Sequence, residues 1–140
     1  MNAVNPNFRA LTQFSSLPPG YCTLPIRDDA SAPHLNVREY AVIDTMDCEL
    51  QKGELYAIEY GGVNEQQRRI IQIRPGHIWA HPSGRCESVW WVDELAGFRR
   101  TNETIYGIPV FAGMSDGPYS PRQLKKRLVG RVVGYADAAI

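Results

Sequence analysis

The sequence predicts a single, mainly β domain. The chain has 140 residues, a length that suits one hydrophobic core. Short apolar runs rich in Val, Ile, Tyr and Trp recur along it, and turn signals containing Gly or Pro separate them. Helix-start signals occur together in one segment near the C-terminal end of the sequence. Short strands at this frequency are typical of a small barrel-like or sandwich-like body.

Residues 1–36 are predicted to form an irregular arm ahead of a β domain over residues 37–140. Prolines interrupt every regular pattern in the arm: Pro6, Pro18, Pro19, Pro25 and Pro33. The apolar residues between these prolines are too numerous for a disordered tail. We therefore expect the arm to pack on a body, either its own or that of a partner.

Seven extended segments follow in order: Tyr40–Ile43, Leu55–Tyr60, Arg68–Arg74, Ile78–Ala80, Ser88–Val92, Thr104–Ile108 and Leu128–Tyr135. The second and third are joined by a turn signal at Gly61-Gly62-Val63-Asn64, which predicts a β-hairpin. Pro75-Gly76 and Pro82-Ser83-Gly84 are further turn signals.

One short helix is predicted near residues 120–128. Ser120 is a suitable N-cap, Pro121 suits the first helical position, and Gln123 completes a capping box. Leu124 and Leu128 are four residues apart and can share one buried face. The basic residues in and after this segment are interpreted as a solvated surface: Arg122, Lys125, Lys126, Arg127 and Arg131.

Composition argues against several classes of function. Lys+Arg and Asp+Glu both number 15, so no overall positive field exists that would favour direct binding of nucleic acid. No apolar run approaches the roughly 20 residues of a membrane span, and the N-terminus lacks the apolar core of a secretory signal. We therefore expect a cytoplasmic protein without membrane contact, in which Cys22, Cys48 and Cys86 are free thiols.

A metal site is the one cofactor that the sequence invites us to consider. His77, His81 and Cys86 lie close together, with Cys48 or His34 as a fourth ligand. The paired spacing of structural zinc sites is missing, and the surrounding sequence is rich in turns. We expect no metal and no other cofactor.

The segment from Tyr40 to Arg74 carries a resemblance to a known family. Its parts are an apolar strand, then Thr45-Met46, Leu50, Gly53-Glu54, a second apolar strand, and the strand Ile70–Arg74, with Gly130–Gly134 as the closing strand. This order resembles the peptidase domain of LexA-like repressors, a family that includes self-cleaving phage repressors and is related to signal peptidases. The resemblance implies the β fold of that peptidase domain.

The resemblance also implies a serine–lysine dyad at Thr45 and Gln72, in a cleft lined by Met46, Asp47, Gly53 and Glu54. In such a dyad a neutral lysine accepts the proton of the serine hydroxyl. The methyl group of Thr45 crowds attack, and the amide of Gln72 cannot act as a base near neutral pH. No Ala-Gly bond, the usual self-cleavage site, precedes Thr45. We therefore expect no peptidase activity.

Three functions remain open from the sequence. The first is an inactive LexA-like protein that serves as a binding or dimerisation module in bacterial or prophage transcription regulation. The second is an active or vestigial peptidase that uses Thr45. The third is an unrelated β domain that binds a peptide or small molecule through tryptophan.

An interface with a protein partner or a second copy is expected at two places. Trp90 and Trp91 are adjacent on a strand, so one should face the core and the other should be exposed or in an interface. In the LexA-like family assembly uses the C-terminal strands, which the resemblance matches to Val132 and Val133.

Overall fold

The structure is a computed structural model, and it describes residues 11–61, 66–80, 84–95, 99–113 and 115–140. Its elements in chain order are β1 (Thr12–Gln13), β2 (Tyr21–Pro25), β3 (Tyr40–Asp44), β4 (Leu55–Gly61), β5 (Gln66–Ala80), β6 (Arg85–Asp93), β7 (Arg99–Ile105), β8 (Ile108–Ala112), β9 (Ser115–Tyr119), α1 (Pro121–Arg127) and β10 (Leu128–Ala136). The predicted mainly β class is confirmed.

Eight strands form one sheet, in the order β2-β3-β10-β4-β5-β6-β9 with β1 added beside β10. All neighbours on the main path are antiparallel, whereas β1 runs parallel to β10. Strands β7 and β8 form a separate two-stranded hairpin. The predicted hairpin of β4 and β5 is confirmed by pairing from Leu55 opposite Gln72 to Gly61 opposite Gln66, although its turn residues 62–65 lie outside the described residues.

Two apolar clusters lie on opposite faces of this sheet, because side chains alternate between faces along a strand. On β4, Leu55 and Ala57 belong to the first cluster, and Tyr56 and Ile58 belong to the second. The first cluster comprises Ile26, Leu35, Ala41, Ile43, Leu55, Ala57 and Val132. The second comprises Tyr56, Ile58, Ile71, Ile73, Val92, Leu124 and Leu128.

The N-terminal segment packs on its own body. Within residues 11–36, β1 pairs with β10 and β2 pairs with β3. Ile26 and Leu35 are buried members of the first cluster. The part of the predicted arm that the structure describes therefore belongs to the same sheet and core as the rest of the chain.

Two strand predictions are corrected. Segment 104–108 is not one strand, because Tyr106 and Gly107 form a two-residue turn between β7 and β8 with φ values of 51° and 75°. Pro75-Gly76 is not a turn, because β5 runs through it to Ala80 and pairs there with β6. Of the other predicted turn, Gly84 is a turn residue with φ of 66°, and residues 82 and 83 lie outside the described residues.

The predicted helix is confirmed as α1. Ser120 and Gln123 form the expected capping box, with Pro121 at the start. Leu124 is buried in α1. Leu128 has an extended backbone and is the first residue of β10, yet both leucines pack in the second cluster. Within the described ranges no helix has the length and apolar character needed to cross a bilayer.

Candidate functional site

The turn after β3 presents Thr45 at the surface. Its amide donates to the Gly20 carbonyl at 3.1 Å, and its hydroxyl donates to the same carbonyl. The next amide, that of Met46, is held by the Asp44 carboxylate at 3.0 Å. Met46 is 84% exposed, and Thr45 is exposed as well. The turn therefore places the Thr45 side chain at the surface, with its hydroxyl hydrogen-bonded to a backbone carbonyl.

Gln72 lies half-buried where β5 is paired on both sides, opposite Leu55 of β4 and Asp93 of β6. Its amide nitrogen donates to the Gly53 carbonyl at 3.4 Å. Gly53 has φ of 82°, a conformation that glycine adopts without strain. Gln72 thus supports the turn that begins β4.

Thr45 and Gln72 lie at different places along the sheet. Strands β10 and β4 stand between β3 and β5. Each side chain uses its hydrogen bond on a different backbone carbonyl, and within the described residues no hydrogen bond joins the two. The pairing of these positions as a dyad remains a prediction of the resemblance.

Two carboxylates and one guanidinium lie near the Thr45 turn. The Asp47 carboxylate accepts an ion-pair contact from Arg131 at 2.8 Å, and Asp44 flanks the turn from the other side. Burial, followed by the Asp47 and Asp44 carboxylates, raises the pKa of the nearby Cys48 thiol. The same carboxylates disfavour formation of an alkoxide on a neighbouring hydroxyl. Lys52, the lysine nearest in sequence, is exposed on its turn.

The loop between Thr45 and β4 is tied to the core by Tyr56. The buried Tyr56 hydroxyl donates to the Glu49 carbonyl and accepts from the Gln51 amide at 2.9 Å. Burial is the largest cause that raises the pKa of this phenol. The loop is therefore held in one conformation by a residue of the second cluster.

A cavity lies elsewhere, between the segment after β2 and the first half of β5. It has a volume of about 630 Å³. Its lining is Leu24, Pro25, Ile26, Arg27, Asp28, Ala30, Ser31, Gln67, Arg68, Arg69, Ile70, Ile71, Glu94 and Leu95. Neither Thr45 nor Gln72 lines it, and none of the predicted cleft residues Met46, Asp47, Gly53 and Glu54 does.

The three tryptophans differ in their surroundings. Trp90 packs against the second cluster opposite Tyr119, and Trp91 is covered by the Arg74 guanidinium at 5.7 Å from its ring. Both are half-buried, as adjacent residues on opposite faces of β6. The highly exposed tryptophan is Trp79, at 76%.

The predicted C-terminal interface residues lie on an interior strand. Val132 is fully buried in the first cluster, and Val133 is half-buried. Both edges of β10 are occupied, one by β3 and the other by β4 and β1. Val132 is therefore a core residue of the chain itself.

A second polar cluster fastens β9 to β4. The Asp116 carboxylate accepts hydrogen bonds from the Tyr119 hydroxyl and, at 3.3 Å, from the Tyr60 hydroxyl. Burial, with the Asp116 charge second, raises the pKa of Tyr60 to about 12. The Arg127 guanidinium lies 5.7 Å from the Tyr119 ring centroid. The sequence offered no signal for this cluster, because its members come from three separate elements.

The histidine and cysteine cluster does not assemble into a metal site in the described part of the chain. His77 is exposed on β5 and Cys86 is exposed on β6. Groups of three or more His, Cys, Asp or Glu side chains that could hold a metal are not found among the residues described. His81 lies outside them.

Comparison with protein-family models, with curated proteins and with solved structures gave no match. The resemblance to LexA-like peptidase domains therefore rests on the residues quoted above.

Proposed function

We propose that this chain is a LexA-like peptidase-fold protein that does not cleave peptides and acts as a binding or dimerisation module. The setting that the resemblance implies is transcription regulation in a bacterium or prophage. The module would work in the cytoplasm through a protein partner or a second copy of itself, without direct contact to nucleic acid.

The observation that carries this proposal is the chemistry around Thr45. Its hydroxyl donates to a backbone carbonyl, its charged neighbours are Asp44 and the Asp47–Arg131 ion pair, and the position matched to the family's lysine holds Gln72. A general base contributes about 10²- to 10⁴-fold in rate, and an amide cannot supply that contribution. The surrounding carboxylates also oppose ionisation of the hydroxyl.

The fold proposal is supported by the order of the elements. β3 ends at the turn that holds Thr45, Gly53 opens β4, and the Gly130–Gly134 segment forms β10 between β3 and β4.

Self-cleavage is tested on the purified full chain. Wild type, Thr45→Ala and the double variant Thr45→Ser/Gln72→Lys are incubated at neutral and alkaline pH, and their intact masses are followed over several days. We expect wild type and Thr45→Ala to remain intact equally. A wild-type fragment that is absent from Thr45→Ala would contradict the proposal, because it would show that Thr45 is a working nucleophile.

The double variant tests the register of the alignment. Cleavage that appears only in Thr45→Ser/Gln72→Lys would place the two positions within reach of each other and support the LexA-like assignment. Light scattering over a concentration series tests dimerisation, and a monomer at every concentration would remove the dimer from the proposal.

A further inference from the structure

The outer edge of β2 is a free strand edge. The amide of Thr45 bonds to the Gly20 carbonyl, and the amide of Ile26 bonds to the Glu39 carbonyl, so even-numbered residues of this segment direct their backbone groups toward β3. Backbone groups alternate sides along an antiparallel strand. Thr23 therefore directs its N–H and C=O away from β3, toward a side where no described strand pairs with β2.

The first half of β5 has a second free edge. β4 pairs with β5 from Gln66 to Gln72, and β6 pairs with β5 from Gln72 to Ala80. Residues 66–71 are consequently paired on the β4 side only, within the strands that the structure describes. Glu94 and Leu95, which follow β6, turn away from β5 at this point and line the same cavity.

The cavity of about 630 Å³ lies between the end of β2, where Leu24 and Pro25 line it, and the first half of β5; Thr23 directly precedes this lining along the β2 edge. Its volume is within the usual range for ligand sites. The path β2-β3-β10-β4-β5 brings residues of its first and last strands into one cavity lining, and we call the space between β2 and the first half of β5 the seam. Each step on the path is antiparallel, so four reversals leave β2 and β5 running in the same direction. One inserted strand would have the same orientation relative to both walls.

The floor of the seam is apolar and the rim is charged. Leu24, Ile70 and Leu95 are partly buried side chains that pack against the first cluster. The lining carries Arg27, Arg68 and Arg69 against two carboxylates, Asp28 and Glu94, and Arg68 also forms an ion pair with Glu59 at 3.3 Å outside the lining. Alternating side chains of an added strand would place apolar groups on this floor and polar groups at the rim.

We propose that the seam between β2 and the first half of β5 binds an extended polypeptide segment of another protein as an added strand, with apolar residues inward and acidic residues outward. An added strand satisfies backbone groups on both walls and completes the first cluster, and full closure removes the exposed edges. The proposal names the ligand class of the proposed binding module, and it stands apart from the chemistry at Thr45.

The probe is a set of fluorescein-labelled eight-residue peptides in which Val, Leu, Ile or Phe alternate with Glu. Composition-matched peptides with the apolar residues clustered serve as controls, and a second set replaces Glu by Lys. Fluorescence anisotropy with the full chain is expected to show binding of alternating Glu peptides tighter than about 1 mM. Lys peptides should bind up to about 2-fold more weakly, because the lining carries one more positive than negative side chain and the Arg68–Glu59 ion pair offsets part of that excess.

Two variants test the β2 edge. Thr23→Pro removes the outward N–H and should weaken binding about 3- to 10-fold, whereas Thr23→Val keeps it and should bind within about 2-fold of wild type. Amide hydrogen exchange on wild type gives an independent readout: the Thr23 amide should become protected when the peptide is added.

Three results would overturn the proposal. One is equal binding of alternating and clustered peptides, or no binding of either. Another is peptide binding that leaves Thr23 exchange unchanged. The third is protection of Thr23 that rises with protein concentration in the absence of peptide, which would make a second copy the occupant. None of these results bears on whether Thr45 is a nucleophile, so the two proposals fail separately.

Discussion

Replacing Gly130 by alanine is expected to destabilise the protein strongly. Gly130 is buried in β10, and a Cβ added there would lie 2.1 Å from the Asp44 carbonyl oxygen and 2.9 Å from the Thr45 Cα. Real Cβ atoms essentially never approach closer than 3.0 Å, so the strands must separate locally by at least 3.0 − 2.1 = 0.9 Å. The obstacle is backbone on a paired strand and cannot rotate away as a flexible side chain would.

Overpacking of this kind costs about 1–3 kcal/mol, and a backbone obstacle favours the upper end, about 3 kcal/mol. For a chain of this length the midpoint of thermal unfolding should fall by about 12 °C, at roughly 4 °C for each kcal/mol. Gly61→Ala is the matched control, because nothing lies within 4 Å of the position that its Cβ would take and the φ of Gly61 is ordinary. There alanine should change the free energy of unfolding by no more than about 0.5 kcal/mol.

The assay is urea unfolding followed by tryptophan fluorescence, supported by thermal melts of wild type, Gly130→Ala and Gly61→Ala. If Gly130→Ala unfolds within about 0.5 kcal/mol of wild type, the close approach of β10 to the Thr45 turn is refuted. Loss of stability in both variants would instead indicate a general intolerance of side chains in this sheet.

Two further predictions concern tyrosines. Tyr56→Phe should lower the free energy of unfolding by about 1–3 kcal/mol, because the Gln51 amide and the Glu49 carbonyl lose their shared partner; urea unfolding measures this, and an unchanged midpoint would contradict the anchoring role. Burial raises the pKa of Tyr60 from 10.0 to about 12, so its stabilisation is complete below about pH 10 and is lost as the pH rises toward 12. Urea unfolding at a series of pH values should show this decline, Tyr60→Phe should make it shallower, and equal slopes in both proteins would refute the assignment.

Local signals in the sequence were enough to predict several elements. Ser120, Pro121 and Gln123 specify the start of α1 through interactions within four residues, and the structure shows the same capping box. Gly53 is a similar case, because its positive φ of 82° is a conformation that glycine adopts without strain. Such features depend on neighbours along the chain, which the sequence displays directly.

Other features depend on contacts that no local pattern encodes. Tyr106 occupies positive φ in a two-residue turn, a conformation that favours Gly or Asn and that nothing about a tyrosine indicates. Pro75 is accommodated inside β5 because β4 pairs no further than Gln72, which leaves one edge where a missing N–H costs no pairing. The seam depends on the pairing register of β5 and β6, because it lies beside the part of β5 that β6 does not pair with.

The central place of β10 has a consequence for how the chain is made. β10 comes after β3 and β4 in synthesis, yet it is inserted between them. When β3 and β4 of a nascent chain have emerged from the ribosome, each has an unpaired edge, and the two apolar faces of the sheet are incomplete until residues 128–136 emerge as well. Pairing at such sequence separation is slow, typically milliseconds to seconds, and unpaired edges readily join other chains. We expect the newborn chain to depend on rapid release or on a chaperone more than the finished fold does.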